Sequence, residues 1–402
     1  MRAGVSSRLP AVPRAVWALG FVSMFMDISS EMIHSLLPVF LVTTLGASAA
    51  LVGVIEGVAE ATASITKVFS GWFSDRLGKR KLLAVFGYGL GALSKPIFPL
   101  AVTPFEVLGA RFADRIGKGL RGAPRDALVA DITEPGARGA AFGLRQALDT
   151  VGAFMGPLIA IGLMALFSGD IRRVFGWAVL PAAFAVLLLV FGVEEPKRAA
   201  GDGKRPAPIR WSEVRDMGRP FWWVVAVGVV FTMARFSEAF LVLRAQGVGL
   251  PVALVPVVLI VMNVVYAATS APLGRISDHM DRRVLLAAGL GVLALADAAL
   301  AWLGSVAGVL LGAALWGLHM GVTQGLFAAL VADAAPQRLR GTAFGVFNFA
   351  TGITLLLASV LAGGLWSAYG PGATFLAGGV FALVALVGLG VVSSRPGRDS
   401  LP

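Results

Sequence analysis

Asp27, Glu31 and His34 stand at i, i+4 and i+7. That spacing places two carboxyls and an imidazole on one helical face, within about 10 Å along the axis. The segment around them, roughly 16–42, is otherwise apolar. An ionised carboxylate facing lipid there would cost several kcal/mol, so the face must line a cavity or meet a cation. Proton binding, capture of a cationic ligand, and ion pairing with Arg111, Arg115 or Arg235 all fit. A metal site is compatible with the spacing, but no second histidine or sulfur ligand lies nearby in sequence. No metal and no cofactor are expected.

Other ionisable residues sit at comparable depth. Arg235 and Glu238 are spaced i, i+3, and Glu56 and Glu60 share a face that could form an outer gate. Arg111, Arg115, Arg145 and Asp149 form a largely basic group, with Asp114 or Asp149 as expected partners for Arg111. These residues divide the expectation for a ligand. Asp27, Glu31 and Glu238 favour a cation, whereas Arg111, Arg115, Arg145 and Arg235 favour an anion. Because Asp114 and Asp149 neighbour some of the arginines, a cationic or neutral amphiphile is expected.

The elements that position these groups must be membrane helices. The chain has 402 residues, of which 57% are hydrophobic and 14% charged. Its mean hydropathy is +0.81. Soluble domains carry roughly 25% charged residues. Apolar stretches of about 20 residues recur, each long enough to span a bilayer. Twelve spans fit: 16–42, 50–72, 82–102, 105–129, 140–166, 174–193, 221–243, 251–273, 284–303, 306–332, 341–366 and 372–393. The polar stretch 194–220 separates an N-terminal bundle, 1–193, from a C-terminal bundle with its tail, 221–402. The expected fold is all-α, with two pseudo-symmetric six-helix bundles.

The net charge of +11 does not indicate nucleic acid, because the basic residues fall in alternate loops. Arg76, Lys79, Arg80 and Lys81 follow the second span, and Arg282, Arg283 and Arg340 follow the same pattern later. The turns near 44–50, 103–105, 304–306 and 367–371 have no Lys or Arg. By the positive-inside rule both termini face the cytoplasm, in a cell inner membrane. Arg172, Arg173 and Arg244 break the rule. The chain has no cysteine, which excludes disulfides and thiolate chemistry.

The chain also repeats itself. Gly71-Trp72-Phe73-Ser74-Asp75-Arg76 returns as Gly274-Arg275-Ile276-Ser277-Asp278-His279. Ala127–Asp131 and Arg138–Gly143 return as Ala329–Asp333 and Arg340–Gly345. A long fixed period means two copies of one unit, and in membrane proteins the binding site lies where the copies meet. Under this alignment Ser30-Glu31 matches Ser237-Glu238, so each half offers a carboxylate to the centre.

These motifs resemble the major facilitator superfamily over essentially the whole chain. Gly71, Asp75, Arg76, Gly78, Lys79 and Arg80 match its loop between spans two and three, and Asp278 and Arg282 match the second copy. Gly152, Gly156 and Pro157 resemble its fifth-span antiporter motif, without the final Gly-Gly. Asp27–Met32 and Asp114–Gly119 look like a prokaryotic permease branch without an established substrate. The resemblance implies two bundles rocking about a central cavity. Asp75 with its basic neighbours, Asp131 with Arg138, and Asp333 with Arg340 are then expected to act as a gating latch, and Arg111 to exchange partners.

Gly117, Gly119 and Gly122 spell a dinucleotide-binding pattern, but no strand precedes them. No phosphate-binding loop is present, and no nucleophile–base–metal grouping emerges, so an enzyme is not expected. His319 reads as packing or cavity lining. The expected activity is secondary transport of a small organic solute, coupled to protons and directed outward. The alternatives are a proton-coupled importer of a metabolite or organic anion, and a non-transporting receptor or sensor. The expected partners are the small-molecule substrate, protons and the lipid bilayer; the chain is expected to work as a monomer and not to bind nucleic acid.

Overall fold

The computed structural model describes residues 12–77, 79–195, 214, 217–277, 280–336 and 339–393, all in helices and short connections. Gly78 and Asp278 lie outside these residues, and the side chain of Asp75 is likewise not described.

Among the described residues, nine helical segments are long and apolar enough to cross a membrane. They are Arg14–Thr44, Ala49–Gly71, Arg80–Leu100, Arg138–Leu166, Ile171–Gly192, Val252–Gly274, Arg282–Trp302, Val306–Ala334 and Arg340–Tyr369, which are spans one, two, three, five, six, eight, nine, ten and eleven. Three further segments of the described residues are consistent with the expected twelve. Span four, Pro104–Ile132, is long but heavily charged. Span seven is split into Arg219–Met233 and Ala239–Gly247. Span twelve is Pro371–Ser393. The fold is therefore an all-helical membrane fold.

Local chemistry starts the helices where the repeat requires. Thr103 caps span four through a capping box with Glu106. At the matching position Ser305 caps span ten by accepting from the Gly308 amide. Each satisfies backbone donors that a helix start leaves open. Two of the basic residues that broke the loop rule end helices instead. Arg172 donates to the carbonyls of Pro99 and Ala101 at the end of span three, both at 2.7 Å. Arg244 donates to Leu300 at 2.9 Å, at the end of span nine. Both cations satisfy last-turn carbonyls.

Close packing depends on small residues, as expected where lipid gives no hydrophobic drive for helix association. Spans two and eleven touch at Gly57, where a Cβ would come within 3.0 Å of the Leu356 carbonyl oxygen. Gly363 abuts the Ala49 carbonyl on the same seam. In span four, a Cβ on Gly117 would lie 2.5 Å from the Gly87 carbonyl oxygen, and one on Gly119 would lie 2.9 Å from that of Ala63. Two of the three glycines that mimic a dinucleotide motif, Gly117 and Gly119, are thus contact points in the middle of a helix, whereas Gly122 meets nothing within 4 Å.

These contacts predict a graded stability series. Gly117→Val should destabilise by about 1–3 kcal/mol through overpacking. Gly109→Ala, which meets nothing within 4 Å, should be neutral or gain up to about 1 kcal/mol of helix propensity. Thermal unfolding in detergent checks both. Equal melting temperatures for the two variants would refute the packing role of Gly117.

Candidate functional site

Span four sets the site. Its residues Arg111, Arg115, Lys118, Arg121 and Arg125 recur every three or four positions, so they form a cationic stripe along one helical face. Neighbouring spans answer most of it. Arg111 meets Glu56 of span two at 2.5 Å, and both side chains are buried. His34 bridges Glu56, at 3.6 Å, to Glu31, at 3.5 Å. Arg115 meets Glu60 at 3.3 Å. Arg121 lies 3.8 Å from Asp27 and packs over the Tyr88 ring. Arg125 reaches Asp126, Asp149 and the Ser23 hydroxyl. Arg145 of span five meets Asp149 at 2.5 Å and Asp126 at 3.6 Å.

Several of these pairings differ from the expected ones. Arg111 pairs with Glu56 rather than Asp114 or Asp149. Glu56 is therefore held in the buried network instead of standing at an outer gate. Asp114 faces span three, where Lys95 bonds it at 2.8 Å and also donates to Ser30 at 3.0 Å. The cation facing Asp27 is Arg121, not Arg111, Arg115 or Arg235. Spacing along one helix could not show these choices, because each partner lies on a different span. Among the described residues no group of three or more ligand-type side chains could hold a metal ion.

The stripe borders two joined chambers. The larger has a volume of about 920 Å³ and is walled by spans one, two, four, five and eight, including Asp27, Lys118, Arg125, Asp149, Asn263 and Tyr266. Lys67 and Gln146 at its basic-loop end are exposed. The smaller, about 370 Å³, lies deeper; Glu31, His34, Glu60, Arg115, Arg235 and Glu238 face it. Glu31 and Glu238, matched by the repeat, thus come to one chamber from opposite halves. At the far end Leu36, Leu37, Phe40, Phe240 and Leu241 are fully buried in one apolar cluster. The cavity reaches the basic end and is closed at the other.

Two features shape its walls. Span seven unwinds at residues 234–238, a segment that includes Arg235 and Glu238, which are 3.9 Å apart. Broken membrane helices are tolerated where they line cavities. In span five, Gly152 and Gly156 seat the turns of span one that carry Asp27 and Glu31. A Cβ on Gly152 would lie 3.0 Å from the Asp27 Cβ, and one on Gly156 would lie 2.6 Å from that of Glu31. Pro157 follows within the same helix.

The expected latch residues lie at the basic end. Arg80 pairs with Asp131, and Arg282 with Asp333. Each pair joins consecutive odd and even spans of its own half. Arg340 donates to the Ala332 carbonyl at 3.0 Å. Gly71 and Arg76 lie in the last turns of the second helix, Lys79 directly precedes the third, and exposed Arg138 starts span five. His319 is buried, with Nδ1 2.8 Å from the Gly289 carbonyl and its ring stacked on Phe231. Spacing along the sequence does not assign Lys95 its partner on span four; the available signal is its place against the polar stripe of that span.

A charged cavity enclosed by two related helical bundles defines a membrane transporter fold. Residues 19–358, and again 245–401, match the family model described as Major Facilitator Superfamily. An uncharacterized MFS-type transporter of Methanocaldococcus jannaschii is 31% identical over 379 residues, covering 92% of each chain. The inner membrane transport protein YajR of Escherichia coli is 24% identical, over 98% of this chain and 86% of that one. The multidrug resistance protein MdtH of Photorhabdus laumondii subsp. laumondii is 30% identical over 36% of each chain. Among solved structures the nucleoside transporter NupG superposes with a TM-score of 0.82 at 12% identity, covering 94% of this chain and 99% of its own. The chain belongs to the major facilitator superfamily.

The Arg111–Glu56 pair should be strongly coupled. Glu56→Gln or Arg111→Gln alone should cost about 3–5 kcal/mol, because each leaves a buried charge unpaired. The double variant should cost clearly less than the sum. A double-mutant cycle of thermal unfolding measures this, and simple additivity would refute direct pairing.

Proposed function

We propose that this protein is a secondary active transporter that moves a small organic solute by alternating access, coupled to protons and working in export. The observation that carries this reading is the central cavity, closed at one end, where carboxylates of both halves face one chamber. Protonation of Asp27 or Glu31 would bias one facing, and solute would compete for the same charge. The seating of these two residues on Gly152 and Gly156 supports the antiport reading of that motif. The partial likeness to a multidrug resistance protein supports export. The division into bundles 1–193 and 221–402 joined by a cytoplasmic linker, with both termini cytoplasmic, belongs to the same reading. The salt pairs at Arg80 and Arg282 would act as part of the gate at the cytoplasmic face.

Flux into proteoliposomes with an imposed pH gradient tests the coupling. Asp27→Asn or Glu31→Gln should abolish uphill transport while the purified protein remains folded. If both variants concentrate solute as well as the parent, coupling at these residues is excluded.

One observation favours a second reading, proton-coupled import of an organic anion. Lys118 faces both chambers and has no carboxylate within 4 Å among the described residues, whereas the arginines of the same stripe are matched. Binding of matched cationic, neutral and anionic compounds separates the readings. Preference for anions that is lost on Lys118→Gln and unaffected by Asp27→Asn would establish the second. Preference for cations, weakened by Asp27→Asn, would establish the first.

A further inference from the structure

Asp297 lies three-quarters of the way along span nine and is fully buried. Neither carboxyl oxygen has a hydrogen-bond partner among the described residues. Its position is narrow. A Cβ added to Gly378 of span twelve would lie 2.7 Å from Asp297 Oδ2 and 2.9 Å from Phe236 Cε1. The carboxyl and the edge of the Phe236 ring therefore share the notch that this glycine leaves. Phe236 belongs to the unwound segment of span seven, and it lines the smaller chamber. Its ring also packs on Trp316, with centroids 5.5 Å apart, and the Trp316 indole nitrogen is itself without a partner.

The charged groups nearest on the surrounding spans are engaged elsewhere. On span ten, His319 is bonded through Nδ1 to the Gly289 carbonyl, and Asp333 is paired with Arg282 at the basic end. On span seven, Arg235 faces Glu238, and Arg244 is committed to the carbonyls of Leu300 and Ala301. Span twelve carries no ionisable residue between Pro371 and Ser393. An ionised carboxylate in such a place has no counter-charge among the described residues, and burying one unpaired is far costlier than burying the neutral acid. A carboxylic acid kept beside a cavity is a proton store, and intramembrane carboxyls of this kind mark proton paths.

We propose that Asp297 is a second proton-binding site, held as the neutral acid in this conformation and separated from the cavity by Phe236. When the unwound segment of span seven moves, the ring leaves the notch and cavity water reaches the carboxyl. The proton then passes to that water, leaving a carboxylate; the return step reloads it and the ring closes again. The site lies in the C-terminal half, apart from Asp27 and Glu31. Its role in a cycle rests on the alternating-access reading, whereas its occupancy by a proton does not.

Infrared difference spectroscopy on the purified full-length protein in lipid tests the proposal without any substrate. The protonated-carboxyl stretching band at neutral pH should persist in Asp27→Asn and Glu31→Gln and be lost in Asp297→Asn. Asn mimics the neutral acid in size and charge, so this variant should also unfold at nearly the parent temperature. Transfer to D2O should shift the band slowly in the parent and several-fold faster in Phe236→Ala, a measurement that leaves the carboxyl in place. A spectrum unchanged by Asp297→Asn would overturn the proton site, and parent-like exchange in Phe236→Ala would overturn the barrier. If uphill flux survives in Asp27→Asn and Glu31→Gln while the Asp297 band is present, the earlier coupling assignment fails and this one stands.

Discussion

The constraint on which the rest depends is the cationic stripe of span four. Four arginines and a lysine on one face of a membrane helix cannot point at lipid. They have to be surrounded by spans that supply carboxylates, and here they are: Glu56 and Glu60 from span two, Asp27 from span one, and Asp149 from span five. Matching these charges gathers the N-terminal helices around a polar centre. Lys118, without a carboxylate in ion-pair distance among the described residues, faces both chambers of that centre. The same charges that prevent span four from being a simple apolar helix therefore make it the wall of a cavity.

Small residues set how near the walls can come. Gly117 and Gly119 bring span four against spans three and two, and Gly152 and Gly156 bring span five onto the turns of span one that carry Asp27 and Glu31. Such close approach of backbones lets short carboxylates reach cations on neighbouring spans. Gly57 and Gly363 act on the seam between the halves, where spans two and eleven meet. Packing and electrostatics are thus one problem in this protein, since charge neutralisation requires backbones close enough for short side chains to meet.

The two halves share a plan but divide the chemistry unequally. Thr103 and Ser305 start matching helices, and Arg172 and Arg244 end matching helices. Arg80–Asp131 and Arg282–Asp333 repeat one ion pair. Yet among the described residues the dense charge network lies in the N-terminal half. Span ten, the counterpart of span four, has an apolar body, and the C-terminal half contributes aromatic packing around Phe236, Trp316 and Phe231. This asymmetry fits membership in the major facilitator superfamily, in which a repeated scaffold carries a site that need not be symmetric.

The sequence by itself determined the class of fold. Runs of apolar residues, alternating basic loops and an internal repeat all follow from local physics: bilayer thickness, loop charge and duplication act on neighbouring residues. The helix positions were legible to within a few residues on that account. So was the convergence of Glu31 and Glu238, because the repeat relates them. Only the tertiary structure decided the pairings. Arg111 chooses Glu56, Asp114 chooses Lys95, and Asp131 chooses Arg80, each across helices far apart in sequence. Asp297 was silent in the sequence, a single acid in an apolar span, and its isolation depends on Gly378 and Phe236 from two other spans. Ion pairs and buried voids are set by distances between helices, and a chain's order specifies those distances only once all the helices have packed together.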